Sequence, residues 1–480
     1  MNKKLNLTSN PIGRLLKQIA IPASTGSLFQ TLFNIIDTFY AGKISPESLA
    51  ALAKSFPLYF IIIAAGIGIV SGCNSLIGNS IGERNKIAAS IYAHNTIVYA
   101  ILLSVFITFI GIYFSYDLLK FMGNSEKSII LAKKYTDIIF LGSFIFLIQF
   151  SFNSILNSQG DTKSFRNFML IGIFANIILN PIFIFGLFFI PAFGISGLAI
   201  STILIQFVGC IYLYFKVNKL EIKIVPKIEN FYIRRNFFRN IFDQAMPITF
   251  SLFMVSIGGF ILLYFLINFG DKAIAGYGSA LRFEQIFILP IIGLNTAVLS
   301  IAGQNFGARR YDRVREVYFK GILIGMIVMC FSGVIIYLMS EPIIRIFSND
   351  LEVIKFGSSY LKITAFICPV YPIFFISHAL FAALKKSYFI FYMNLLRMVI
   401  LPFVILWIVL NVMNGYFQDI FYGLLIMNWI LGFLVVLIAR GLMVKSFKEQ
   451  KKLSLSFNNI VLYKAKYLVR WVSWFKPEVC

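Results

Sequence analysis

Ser75-Leu-Ile-Gly-Asn-Ser-Ile-Gly-Glu-Arg84 closes one long apolar run, and Ser300-Ile-Ala-Gly-Gln-Asn-Phe-Gly-Ala-Arg309 closes another, 225 residues further on. Gly68 falls on Gly293 at the same offset. Glycines and an arginine shared at matching places, each after the second apolar run of its half, read as an internal repeat. Working outward, twelve apolar runs can be marked, near 18–41, 48–72, 92–114, 135–155, 167–188, 193–215, 245–269, 275–302, 317–339, 357–383, 388–411 and 418–439. Each is long enough to cross about 30 Å of hydrocarbon as a helix. Helices are required because backbone groups in lipid must bond within their own segment. The short, polarity-alternating strands of a membrane barrel do not match these runs. The expected fold class is an all-α integral membrane protein with 12 transmembrane helices.

Six runs precede the basic stretch 216–244 and six follow it. An even number returns the chain to its starting side, so both halves enter the membrane alike, related by an axis along its normal. The expected division is a six-helix bundle at 1–215, a cytoplasmic linker at 216–244, a second six-helix bundle at 245–445 and a basic cytoplasmic or interfacial tail at 446–480. The pairs Gly78–Gly82 and Gly303–Gly307 have the spacing of close helix packing. At the inner ends of spans they are read instead as letting a short helix turn along the membrane surface.

Composition agrees with lipid as solvent. Hydrophobic residues are 59% of the chain and charged ones 13%, against roughly 25% charged in soluble proteins. The net charge of +23 does not point to nucleic acid, because Lys and Arg lie between the apolar runs. Lys216, Lys219, Lys223, Lys227, Arg234, Arg235 and Arg239 crowd one connection, and Arg309, Arg310, Arg313 and Arg315 another. Basic residues gather on the cytoplasmic side and meet anionic lipid there, so both termini are expected in the cytoplasm of a cell-membrane protein. In the tail, Lys464, Lys466 and Arg470 mix with Trp471, Trp474 and Phe475, as in an interfacial segment. The five cysteines are scattered singly, without metal or disulfide spacing. The first apolar run reads as a retained span, not a signal peptide. There is no phosphate-binding GxxxxGK[ST] loop and no cluster of acids, His or Cys at a membrane face. Neither ATP, nor a cofactor, nor an enzymatic activity is therefore expected, and a membrane-embedded transferase is the weaker alternative.

Of the acidic residues, Asp37 and Glu284 lie clearly inside spans. A carboxylate at that depth is costly and marks an ion or proton path. Ser27, Gln30, Asn34 and Asp37 recur every three or four residues and form one polar stripe on a helix. Asn176 and Asn180 share a face of span five, as do Gln149, Asn153 and Asn157 in span four. Carboxylate and amide oxygens together suit a proton-linked site or Na⁺, which takes oxygen ligands. The candidate cation-coupling residues are thus Asp37, Asn176, Asn180, Gln30 and Asn34, with Na⁺ possible at Asp37, Asn176 and Asn180. Candidates for the cavity lining are Asn153, Asn157, Arg282, Glu284 and His378. Arg282 and Glu284, two residues apart, point in different directions. Lys54 is read as snorkelling to the outer interface, and Arg397 as needing a partner or water.

Together with Gln30-Thr-Leu-Phe-Asn-Ile-Ile-Asp37, Asn176-Ile-Ile-Leu-Asn-Pro-Ile-Phe-Ile-Phe-Gly186, Gly194-Ile-Ser-Gly-Leu-Ala199 and Tyr277-Gly-Ser-Ala-Leu-Arg-Phe-Glu-Gln285, the repeated segments resemble the multidrug and toxic compound extrusion (MATE) family. The likeness runs over most of residues 10–445. It implies two six-helix bundles in a V, acting as a monomeric secondary transporter that exports cationic, amphipathic compounds in exchange for H⁺ or Na⁺. It also implies that Asp37, Asn176 and Asn180 occupy the N-terminal-half cation site; some members carry Asp where this chain has Asn180. A Na⁺-coupled branch carries acids in spans seven and ten, and this chain has none there. That favours coupling in the N-terminal half, with H⁺ ahead of Na⁺. The alternative on a related architecture is a lipid-linked oligosaccharide flippase. Its cleft would need several basic residues, and only Lys54, Arg282 and Arg397 are available.

Overall fold

The structure is a computed structural model that describes residues 5–121, 125–187 and 190–473, with side chains as far as Lys451. The aromatic and basic side chains of the tail, from 452 on, lie outside the described residues. Among the described residues there is no strand, only helices and short connections.

In the N-terminal half, α1 is Ile12–Ile44, α2 Pro46–Gly82, α3 Lys86–Phe121, α4 Glu126–Leu141, α5 Ser143–Ser158, α6 Lys163–Phe185 and α7 Ile195–Val217. The C-terminal half holds α8 Arg235–Leu266, α9 Asp271–Gly307, α10 Tyr311–Leu338, the short α11 Ser340–Arg345, α12 Leu351–Ile367, α13 Tyr371–Ala383, α14 Tyr388–Asn394, α15 Leu401–Asn411 and α16 Phe417–Ser473. Among the described residues, eleven helical stretches are long and apolar enough to cross a membrane; α4 and α5, bent by 48° at Gly142, make the twelfth span. The tenth span joins α12 to α13 through a 3₁₀ turn at Cys368–Val370, and the eleventh joins α14 to α15 through a π-helical segment at Leu395–Ile400.

Local chemistry sets the ends. Ser45 caps α2 by accepting from the Ser48 N–H at 3.1 Å, with Pro46 in the first turn where its missing N–H costs nothing. Asp350 caps α12 by accepting from the N–H groups of Glu352 and Val353. Several helices outrun the apolar runs marked in the sequence; α2 and α9 do so by carrying buried turns on to Gly82 and Gly307. Pro22, Pro57 and Pro181 sit inside helices, as do Pro247 and Pro290.

The repeat seen in the sequence governs how the halves meet. A Cβ added at Gly68 would stand 2.1 Å from Thr249 Oγ1 and 2.7 Å from the Ala245 carbonyl. One added at Gly293 would stand 2.1 Å from Ser24 Oγ and 2.4 Å from the Ala20 carbonyl. Every residue in the second contact is the repeat-mate of one in the first. The same holds at Gly82, against the Gln304 carbonyl, and Gly307, against the Asn79 carbonyl, both at 2.0 Å. Asn79 donates to the Ala383 carbonyl at 3.0 Å, and its mate Gln304 donates to the Ser158 carbonyl at 2.7 Å. The glycine pairs therefore do not begin surface helices, as the sequence reading expected. α2 and α9 run through Gly78 and Gly303 and end at Gly82 and Gly307, whose missing side chains let the two backbones touch across the seam. The turn comes just after, at Arg84 and Arg309, whose φ values are 59° and 58°.

These contacts begin at the end of the bundle that carries the basic loops and continue along α2 and α9 as far as Gly68 and Gly293. The N-terminal segment straps the same end. Leu7 is fully buried, its carbonyl accepts from Asn305 at 2.9 Å, the Thr8 carbonyl accepts from Arg310, and the Asn10 carbonyl accepts from Arg313, both at 2.6 Å. The two halves form a V that is closed at the basic end. The cores cross between arms: one cluster joins Phe33 and Ile155 to Ile241 and Ala245, and another joins Leu7, Ile12, Leu15, Leu16 and Ile19 to Leu294, Val317 and Phe447. A third fills the far end of the C-terminal half around Phe265, Tyr360 and Phe421.

Candidate functional site

Asp37 lies in the interior of the N-terminal half. Ser24, thirteen residues earlier on α1, meets the Pro290 carbonyl across the seam at 3.2 Å; at about 100° per residue, Asp37 points roughly away from that seam. Its Oδ1 accepts from Asn176 at 2.8 Å and from Asn180 at 3.0 Å, both on α6, and its Oδ2 accepts from Thr202 of α7 at 3.4 Å. Asn180 also donates to Asn176 Oδ1 at 2.6 Å, while Ser201 donates to Asn180 Oδ1. Asp37 is 6% exposed, and Asn176 and Asn180 are fully buried. No Lys or Arg pairs with Asp37 among the described residues. The charge is held by neutral donors, a cheaper arrangement to disturb than an ion pair.

A proline sets the shape of this site. Pro181 has no N–H to give the Ile177 carbonyl, four residues earlier in α6. Tyr40, three residues beyond Asp37 on α1, donates its hydroxyl to that carbonyl at 3.0 Å. The carbonyl that Pro181 leaves free in α6 is thus tied to α1 beside the carboxylate. Tyr40→Phe is expected to leave the carbonyl unsatisfied and cost about 1–3 kcal/mol, read as a lowered melting temperature of the purified protein, with Tyr116→Phe as a control that leaves it unchanged.

Of the other sequence candidates, Gln30 and Asn34 are half-buried on the same helix, and neither side chain bonds to Asp37. Asn153 and Asn157 are buried in α5, each with an amide oxygen lacking a partner among the described residues, as does the Gln149 amide nitrogen. Arg282 is exposed. Glu284, by contrast, is buried in the C-terminal half, where Oε1 accepts from Tyr371 at 2.6 Å and Oε2 from Tyr360; it forms no ion pair with Arg282. His378 is half-buried, and its Nε2 lacks a partner among the described residues. His94 has a plain structural role, with Nδ1 on the Ser90 carbonyl and Nε2 accepting from the Val225 N–H at 3.1 Å. Lys54 donates to Ser128, in the first turn of α4, at 2.8 Å. Sequence reading missed Ser201, Thr202, Tyr40, Tyr360 and Tyr371. The sole hint for the first two was their place just after the glycine-bearing stretch 194–199.

Two repeated six-span halves, closed on each other at one end and holding, among the described residues, one buried carboxylate in the first half, define a multi-pass membrane transporter. The chain belongs to the MatE family, whose model matches twice, at residues 22–182 and 247–408. These two matches start 225 residues apart, as the repeat requires. Among curated relatives, the probable multidrug resistance protein YoeA of Bacillus subtilis is 27% identical over 74% of this chain and 77% of its own length. The FAD transporter of Shewanella oneidensis is 24% identical over 76% and 80%, and the multidrug export protein MepA of Staphylococcus aureus 22% over 74% and 78%. Among solved structures, a MOP superfamily transporter from Pyrococcus furiosus superposes with a TM-score of 0.86 at 25% identity, over 93% of this chain and 99% of the other. An outward-facing multidrug resistance MATE family transporter matches equally well, with the same score, identity and coverage.

Proposed function

We propose that this multidrug-type transporter is an antiporter, exporting amphipathic organic compounds in exchange for H⁺ that binds Asp37. The observation that carries this is the donor set: Asn176, Asn180 and Thr202 all aim N–H or O–H groups at the carboxylate. Donors stabilise a charged carboxylate and release it when a proton arrives. Na⁺ would need oxygens instead, yet Asn176 and Asn180 turn their amide nitrogens, not their oxygens, to the carboxylate. Both amides would have to turn for Na⁺ to bind. Proton and cargo compete for one negative charge, and that competition couples their movements.

With the basic end inside, as the placement of Lys and Arg favours, the seam closed by the glycines is the inner gate, and the V stands open outward. The protein then resides in the cytoplasmic membrane with both termini inside, working as a monomer by alternating closure of its two ends and without ATP. The relatives named as multidrug proteins support small-molecule cargo, while the one named as an FAD transporter indicates that this architecture also serves other cargo. A flippase for lipid-linked oligosaccharides is less well supported, because the basic residues in question, Lys54, Arg282 and Arg397, do not converge.

The test is uptake of ethidium into inverted vesicles under an imposed H⁺ gradient, an imposed Na⁺ gradient, or neither. Accumulation driven by H⁺ alone is expected. Movement that needs Na⁺, or that ignores both gradients, overturns the coupling assignment.

A further inference from the structure

Glu284 and Arg397 share the interior of the C-terminal half without bonding to each other. Each oxygen of Glu284 is served by a tyrosine hydroxyl, from Tyr360 and from Tyr371. The carboxylate therefore does not depend on a guanidinium for satisfaction. Arg397 sits in the π-helical segment of the eleventh span and is 6% exposed. Its guanidinium carbon lies 3.8 Å from the centre of the Phe374 ring and 5.6 Å from that of Tyr371. Its Nε donates to Asn428 Oδ1 at 2.8 Å, and that is its only hydrogen bond among the described residues.

Such a guanidinium is incompletely used. Arg stays charged and carries five N–H donors in a planar fork; here one is engaged. Aromatic faces attract its charge but accept none of the in-plane N–H bonds. A turn beyond Phe374 on α13, the buried His378 Nε2 also lacks a partner. A cation buried to this degree calls for acceptors that complete its fork. Interruptions of the π type are rare in helices and concentrate at functional positions.

We propose that Arg397 is an anion subsite of the transport cavity, receiving a carboxylate or phosphate borne by the cargo, so that an amphipathic compound carrying such a group binds better than its twin without one. This rests on reading the chain as an exporter and narrows the class of compound it carries. The terminal nitrogens of Arg397 form the paired bonds, Phe374 and Tyr371 hold the guanidinium plane, and Asn428 sets its direction. These residues would be positioning groups for the arginine, not contacts of the cargo.

Matched dyes test this on purified protein in nanodiscs by fluorescence anisotropy. Rhodamine 110 bears a free carboxylate, and rhodamine 123 is its methyl ester; flavin mononucleotide bears a phosphate that riboflavin lacks. The wild type is expected to bind at least one acid-bearing member about tenfold more tightly than its twin, the worth of one charge-assisted bond of about 1.4 kcal/mol. Which pair shows the preference tells carboxylate from phosphate. Arg397→Gln is expected to erase the preference while leaving rhodamine 123 and riboflavin unchanged. Should Arg397→Gln fail to fold, Arg397→Lys, which keeps the charge and loses the fork, is expected to reduce the preference by about threefold. Equal affinities within both wild-type pairs, a preference that survives the substitution, or an equal loss for both members of a pair would overturn the proposal. Binding in nanodiscs needs no gradient, so a failure of proton coupling leaves this outcome readable.

Discussion

Asp37→Asn is expected to abolish gradient-driven export while leaving the fold intact. The substitution keeps the size of the side chain and one acceptor oxygen for Asn176 and Asn180, and its new N–H can turn to Thr202, whose hydroxyl accepts as readily as it donates. What disappears is the charge that a proton neutralises. One charge crossing 100 mV supplies about 2.3 kcal/mol, which corresponds to roughly fiftyfold accumulation. Dye accumulation in vesicles should thus fall from about that level per coupled charge towards equality across the membrane. Full accumulation in the variant, with normal expression, would move the coupling site elsewhere.

Gly82→Ala and Gly307→Ala are expected to part the seam that is proposed above as the inner gate. A methyl group at either position would sit 2.0 Å from a backbone carbonyl, that of Gln304 or Asn79. Backbone cannot swing aside as a side chain can, so relief requires parting the seam. Overpacking of this kind costs about 1–3 kcal/mol or more, enough to lower the share of closed-gate molecules by about 5- to 150-fold. Spin labels at positions 86 and 312, on exposed inner-end residues of the two halves, should show a longer distance in each variant. Export should fall with it. Because the two contacts are repeat-mates, the two variants should behave alike, and a large effect from one with none from the other would contradict a symmetric seam.

Much of this architecture was legible in the sequence because lipid imposes simple rules. Runs of about twenty apolar residues specify helices, and the 225-residue offset from Ser75 to Ser300 revealed the duplication. Asp37, Asn176 and Asn180 could be picked out because polar groups at that depth must face each other or water. The structure brings the three side chains together, with Asn176 and Asn180 both donating to the Asp37 carboxylate. Less legible was whatever depends on distant contact. Thr202 meets Asp37 across 165 positions, and Tyr40 meets Ile177 across 137; neither residue type is unusual in a span. The glycine pairs were visible, but their role was misread, because spacing alone does not say whether a bare helix face meets lipid, a turn or a second helix. Glu284 and Arg282 looked alike on paper and differ entirely in surroundings.

The crossed cores bear on how the protein is made. Ile12, Leu15, Leu16 and Ile19 of the first helix complete a core supplied by the last-synthesised half, while Ile241 and Ala245 complete a core supplied by the first. The early half leaves the ribosome with its opening helix lacking a mate, and it must wait in the bilayer until the later spans arrive. Chains that stall or terminate midway would present that bare surface to the quality-control proteases of the membrane, whereas the two halves produced as separate polypeptides should each survive only when made together.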